Sequence, residues 1–205
     1  MQYLDIKNKL KSFPVFSIKD IKKIDASFHN QRLSEWQKKN YIKKVRQGFY
    51  VFSDIQINEQ TLFIIANRIY NPSYISLEMS LSIYGFIPEA VYGITSITTR
   101  NTKVFKTQVG NFAYRHIKPD LMFGYELREY NGHCYKMAKK EKAILDYFYL
   151  NTKIKSEEDF RELRFNAIEI REKVDTVKLN KYLKVFKNKA LAERISRFLI
   201  YIKNA

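Results

Sequence analysis

From Tyr3 onward, apolar positions recur at helical spacing. Leu4, Ile6 and Leu10 predict a short helix that Phe13-Pro14 stops, because the residue before proline is pushed out of the helical region. Ser17 with Asp20 three residues on has the capping-box arrangement that opens a second helix, with Ile18, Ile21 and Ile24 on one side of it. Asp25-Ala26-Ser27 makes a turn. Ser27 is expected to cap a third helix that contains His29, buries Leu33 and Trp36, and runs to about Lys39. The stretch YIKKVRQGFYVF, Tyr41 to Phe52, alternates apolar and polar residues on both sides of Arg46-Gln47-Gly48. That pattern predicts a hairpin in which Gly48 supplies the positive φ of the turn.

Beyond Asp54 the pattern changes. Asn58 to Ile69 reads as a helix with Leu62, Ile65, Ala66 and Ile69 on one stripe, ended by Asn71-Pro72. Leu77 to Tyr84 predicts a short helix with Gly85 after its end. Ile94 to Thr99 is rich in β-branched residues and reads as a strand. Two strand pairs are expected to follow. One is Lys103 to Thr107 with Asn111 to His116, turning near Gly110; the other is Phe123 to Glu129 with His133 to Ala138, turning at Asn131-Gly132. From Lys139 the chain reads as helical, with later helices at Ser156 to Leu163, Thr176 to Phe186 and Ala190 to Ile202. The last two carry lysines and arginines around an apolar side of Phe186, Leu191, Ile195, Phe198, Leu199 and Ile202. Such helices can grip nucleic acid or a membrane, and more often cap a core.

Helix, helix, turn, helix and hairpin is the element order of a winged helix-turn-helix. The expected fold class is therefore α+β. Residues 1–55 form a winged helix-turn-helix DNA-binding domain, and 56–205 a mixed α/β domain with an antiparallel sheet and C-terminal helices. Charge sharpens this picture. Lys and Arg exceed Asp and Glu by 16, and the excess is +7 over residues 1–55, +1 over 56–110 and +8 over 111–205. An excess this large suits an anionic partner, although a lysine-rich composition alone can also raise surface charge. In the winged-helix reading, Asn30, Gln31 and Arg32 at the start of the third helix read base edges, with Lys38 further along it. Lys43, Lys44, Arg46 and Gln47 on the hairpin contact phosphates. The alternative for the hairpin is that its lysines only protect a sheet edge from aggregation.

Catalytic motifs are sparse. With 6 glycines, the chain holds no glycine-rich phosphate loop, and it has neither GxSxG nor HExxH. His133-Cys134 are adjacent on a strand and point to opposite faces, so they make no chelate or nucleophile pair, and Cys134 reads as a small core residue. Pro119-Asp120 followed by Glu126-Leu127-Arg128 loosely echoes a metal-dependent nuclease. Otherwise Asp120 sits in a turn, and Glu126 and Arg128 share a solvent-facing strand surface. No cofactor and no metal are expected. One cysteine, no run approaching the roughly 18 apolar residues of a membrane span, and no signal-peptide pattern in MQYLDIKNKLKSF give the expectation of a cytoplasmic protein without a membrane partner.

Three stretches together resemble the AbiEi-type antitoxins of abortive-infection (type IV) toxin–antitoxin systems. They are the hairpin YIKKVRQGFYVF, the segment YISLEMSLSIYGFIPEAVYGITSITTRNTKVFKTQVGNFAYRHI from Tyr74 to Ile117, and MAKKEKAILDYFYL from Met137 to Leu150. The resemblance implies a cytoplasmic, non-enzymatic autorepressor. It would bind double-stranded DNA at inverted repeats in its own promoter, and its second domain would neutralise a nucleotidyltransferase-like toxin. By position, Asn30, Gln31 and Arg32 take the base-reading role and Lys43, Lys44, Arg46 and Gln47 the backbone role. Arg100 and Arg115 lie in the family-like segment with a role in structure, partner or DNA binding, while Glu141 favours its helix dipole. The competing readings are a nuclease that uses the N-terminal domain for delivery and a winged-helix adaptor that binds only protein.

Overall fold

The computed structural model describes residues 2–88 and 91–205. Its N-terminal unit runs α1 (Tyr3–Leu10), β1 (Phe16–Ser17), α2 (Ile18–Ile24), α3 (Gln31–Lys38), β2 (Ile42–Arg46) and β3 (Phe49–Phe52). The three strands form one antiparallel sheet in the order β1-β3-β2. Ser17 caps α2 in a reciprocal capping box with Asp20, as the spacing predicts. Gly48 turns the hairpin at φ +81°. Ile6, Leu10, Phe16, Ile21, Phe28, Leu33 and Trp36 close a core against Ile42, Tyr50 and Phe52.

The third helix starts later than expected. Ser27 does not cap it; its hydroxyl donates to Asp25 Oδ1 (2.7 Å), a local turn that competes with capping. Phe28 is buried against Trp36, and the helix begins only at Gln31, so His29 lies before it.

The chain continues through α4 (Glu59–Ile69), β4 (Ser73–Ile75), α5 (Glu78–Ile83), β5 (Ile94–Thr98), β6 (Lys103–Lys106), β7 (Asn111–His116), a 3₁₀ turn (Pro119–Leu121), β8 (Tyr125–Tyr130) and β9 (His133–Ala138). Then follow α6 (Lys140–Leu150), α7 (Glu157–Glu162), α8 (Ala167–Lys173), α9 (Thr176–Phe186) and α10 (Lys189–Asn204). The second sheet has six strands in the order β6-β7-β5-β4-β9-β8. It is mixed rather than antiparallel: β4 pairs parallel with β9, and β5 parallel with β7, which the β6–β7 hairpin brings back alongside it.

This sheet is a middle layer. Ile75, Ile94, Phe112, Tyr114, Tyr135 and Met137 pack on one face with α4 residues Phe63, Ile64, Ile65, Ala66 and Ile69. Tyr74, Ile97 and Ala138 pack on the other with α5, α6 and the C-terminal helices. The apolar side of the basic C-terminal helices is spent on this core: Phe186, Leu191, Ile195, Phe198 and Ile202 are buried there. The small sheet is also covered on both sides. Tyr50 and Phe52 face α1–α3, whereas Phe49, Val51 and Val45 join the cluster around α4, as strand alternation requires.

Two surface expectations reverse. Cys134 is exposed, because Tyr135 and Met137 take the buried side of β9. On β8, Leu127 is 67% exposed while Glu126 and Arg128 are half-buried. Arg128 Nε donates to Glu126 Oε1 (3.0 Å), and its Nη2 donates to the Tyr84 hydroxyl (2.9 Å), so this pair turns inward.

Candidate functional site

With Leu33 and Trp36 buried, the outward stripe of α3 is Gln31, Ser34, Glu35 and Lys38, all exposed at spacings i, i+3, i+4 and i+7. Gln31 and Lys38 were expected there. Asn30 is the exposed N-cap residue and makes no capping bond through its side chain. Arg32 is half-buried, its guanidinium 5.6 Å from the Phe28 ring centroid and 5.5 Å from that of Trp36. Ser34 and Glu35 share this exposed stripe and were not among the expected residues. The signal for them was present, since a helix that buries positions 33 and 36 must turn 34 and 35 outward. Glu35 repels phosphate and can accept a hydrogen bond from cytosine N4.

Three residues link α3 to β2. Lys38, Lys39 and Lys44 are exposed and Lys43 is half-buried, and among the described residues none of the four makes an ion pair. Gln47 is exposed at the hairpin turn.

Arg46, expected to contact the DNA backbone, has internal partners. Its Nη1 donates to the Ile69 carbonyl (2.5 Å) at the C-terminal end of α4. Its guanidinium lies 5.5, 5.7 and 5.1 Å from the ring centroids of Phe49, Tyr70 and Phe105. A cation at a helix C-terminus between aromatic faces is a strut, and it ties the hairpin to the larger sheet. Arg100 and Arg115 are also engaged internally. Arg100 lies 4.5 Å from the Tyr70 ring centroid and donates to the Asn71 carbonyl, and Arg115 donates to the Leu150 carbonyl (3.2 Å).

The second polar constellation is fully buried. Tyr74 and Ser76 on or beside β4 each donate a hydroxyl hydrogen bond to Asp146 Oδ2 (2.8 Å). Lys142, one helical turn before Asp146 on α6, donates to the Tyr74 hydroxyl (2.9 Å) and ion-pairs with Asp146 Oδ1. The Lys142 ammonium also lies 5.0 Å from the ring centroids of Phe123 and Phe186. Burial pulls Lys142 below its ordinary pKa against the opposing pull of Asp146. Burial, reinforced by the Asp146 charge, pushes the Tyr74 phenol well above its usual value. Both members of the ion pair are 0% exposed, so the cluster is closed to any substrate and joins β4 to α6.

Glu141 does sit in the first turn of α6. It is also buried, receiving the Asp175 backbone N–H (3.3 Å) and pairing with Lys178 (2.7 Å), which clasps α9. Asp120 is exposed on the 3₁₀ turn, His116 Nδ1 lies 3.0 Å from the Arg100 carbonyl, and His133 Nε2 lies 2.6 Å from the Ser12 carbonyl. Among the described residues, no group of three or more His, Cys, Asp or Glu side chains could hold a metal, and no helix is long and apolar enough to cross a membrane. The chain matches no known family model, and no curated protein matches it.

Proposed function

We propose that the protein is a DNA-binding transcriptional autorepressor. In this reading residues 1–55 are a winged helix-turn-helix, α3 is the recognition helix and the β2–β3 hairpin is the wing. The observation that carries the proposal is a run of unpaired cations: Lys38 ends the outward stripe of α3, Lys39 follows the helix, and Lys43 and Lys44 stand within six residues on β2, all free of ion pairs among the described residues. Gln31, Ser34 and Glu35 offer the hydrogen-bonding groups that read base edges, while Lys43, Lys44 and Gln47 meet phosphates.

The antitoxin half of the reading rests on the resemblance to the AbiEi-type family. Two of its separate stretches, beginning at Tyr74 and Met137, supply Tyr74, Ser76, Lys142 and Asp146 to a single buried network. Glu89 and Ala90 of the first stretch lie outside the described residues. The partners in this reading are inverted repeats in the protein's own promoter and a nucleotidyltransferase-like toxin.

The test is a gel-shift titration on the DNA upstream of the gene, with unrelated duplex as competitor, at two salt concentrations. A specific shift that weakens with salt and is lost in Lys43→Glu/Lys44→Glu supports the repressor. No specific shift at either salt concentration refutes it. Growth rescue on co-expression with the neighbouring gene's product tests the antitoxin half separately.

A further inference from the structure

A groove of about 730 Å³ separates the tip of the β2–β3 hairpin from β6, and Arg46, Gln47, Tyr70, Asn101, Lys103 and Lys106 line it. No aspartate or glutamate is among its lining residues. Among the described residues strand β6 pairs with β7 alone and forms one edge of the six-stranded sheet. The Arg46 strut fixes the two walls relative to each other, since its guanidinium touches Phe49 on the hairpin and Phe105 on β6.

The charge pattern singles out this place. Residues 56–110 carry only four basic side chains, and three of them, Arg100, Lys103 and Lys106, fall within seven residues. Arg68 is committed to Asp20 and Arg100 to Tyr70 and Asn71. Lys103 and Lys106 are exposed, and among the described residues they form no ion pair. Three residues apart on β6, they lean to opposite faces of its edge and flank it.

We propose that this groove is a second phosphate-binding surface for duplex DNA, continuous with the hairpin, with Lys103 and Lys106 making backbone contacts that carry no sequence information. The proposal rests on the DNA-binding reading above. It extends the contact surface from the N-terminal unit onto the edge of the second sheet.

The experiment is a fluorescence-anisotropy titration of the full chain on an arbitrary duplex of roughly 20 bp, with salt varied from about 50 to 200 mM. The wild type is compared with Lys103→Gln/Lys106→Gln and with Lys43→Gln/Lys44→Gln, circular dichroism verifying the fold of each. Losing two phosphate contacts lowers the log–log salt slope by about 1.8, so the groove variant should lose about 12-fold less affinity than the wild type across that range. A groove variant with the wild-type slope and affinity, beside a hairpin variant that binds weakly, overturns the groove and leaves the hairpin reading standing. A groove variant that self-associates while its DNA binding is unchanged also overturns it, assigning the two lysines to edge protection. A wild type that binds no duplex at low salt overturns both readings together.

Discussion

Loss of the Asp146 carboxylate should be costly, because it is buried and bonded to Lys142, Tyr74 and Ser76. Asp146→Asn keeps the shape of the side chain and removes the one carboxylate that, among the described residues, is bonded to Lys142, leaving a lysine that is 0% exposed without that counter-charge. Breaking a buried pair from one side costs about 3–5 kcal/mol. An independent bound agrees. The stranded lysine can always release its proton, and doing so from an ordinary lysine costs at most about 4.6 kcal/mol at pH 7 and about 1.9 kcal/mol at pH 9. The sign follows from linkage: a base whose folded-state pKa is depressed loses stability as pH falls below its unfolded value, so the deficit of the variant shrinks as pH rises. Urea unfolding measures it. With a slope of about 2 kcal/mol per molar, the midpoint should fall by about 2 M at pH 7 and recover much of that by pH 9. Adding Lys142→Met removes the stranded charge. The double variant should therefore be less destabilised than the sum of the singles, and its deficit should lose the pH dependence. A deficit below about 0.5 kcal/mol, the range of a surface substitution, would refute the claim that the pair is buried and coupled.

Arg46→Ala should destabilise the protein by about 2–3 kcal/mol, because it removes a charged hydrogen bond to the Ile69 carbonyl and three aromatic contacts. A melting temperature unchanged beside a lowered DNA salt slope would instead return Arg46 to the phosphate role. At low pH the relevant group is Asp20. Burial raises its pKa, but the bonds from Arg68 and Ser17 outweigh burial and hold it below the ordinary carboxylate value. Its contribution is therefore present above about pH 3.9 and lost as pH falls through the lower folded value. Arg68→Ala should move the acid loosening of the N-terminal unit to higher pH, read from the fluorescence of Trp36, the chain's single tryptophan; an unchanged acid midpoint would show that the Arg68 contact contributes nothing.

Elements governed by local chemistry were legible in the sequence. The Ser17–Asp20 box, the Gly48 turn and the Asn131-Gly132 hairpin each need only neighbouring residues, and each is present. Elements governed by tertiary burial were not. β4 escaped because Ser73, Tyr74 and Ile75 are buried on both faces and so show no alternation. α8 escaped because only Ile170 of its seven residues is buried, which leaves no stripe to count. The site divided in the same way. Lys44 and Gln47 are exposed as expected, since nothing nearby competes for them. The internal contacts of Arg46 were not legible, because its partners, Ile69, Tyr70 and Phe105, lie 23 to 59 residues away and only the fold brings them close. The Lys142–Asp146 pair was visible as an i, i+4 spacing, but its burial depends on Tyr74, Phe123 and Phe186, which no local pattern reveals.

The same long-range contacts bear on how a DNA surface here would work. The hairpin sheet is held from both faces, by the α1–α3 core on one side and the α4 cluster on the other. Arg46 to Ile69 and Arg68 to Asp20 add polar ties between the N-terminal unit and α4, and Ser12 against His133 adds one to β9. If the hairpin is a DNA-contacting wing as proposed, being ordered beforehand would limit its loss of backbone entropy on binding, and more of any gain from Lys43 and Lys44 would survive as affinity. The arrangement also makes α4 common ground. Its C-terminal carbonyl holds the hairpin, its Arg68 holds the cap of α2, and its apolar face holds the central sheet. A perturbation that shifts α4 therefore acts on the hairpin and on α2 together.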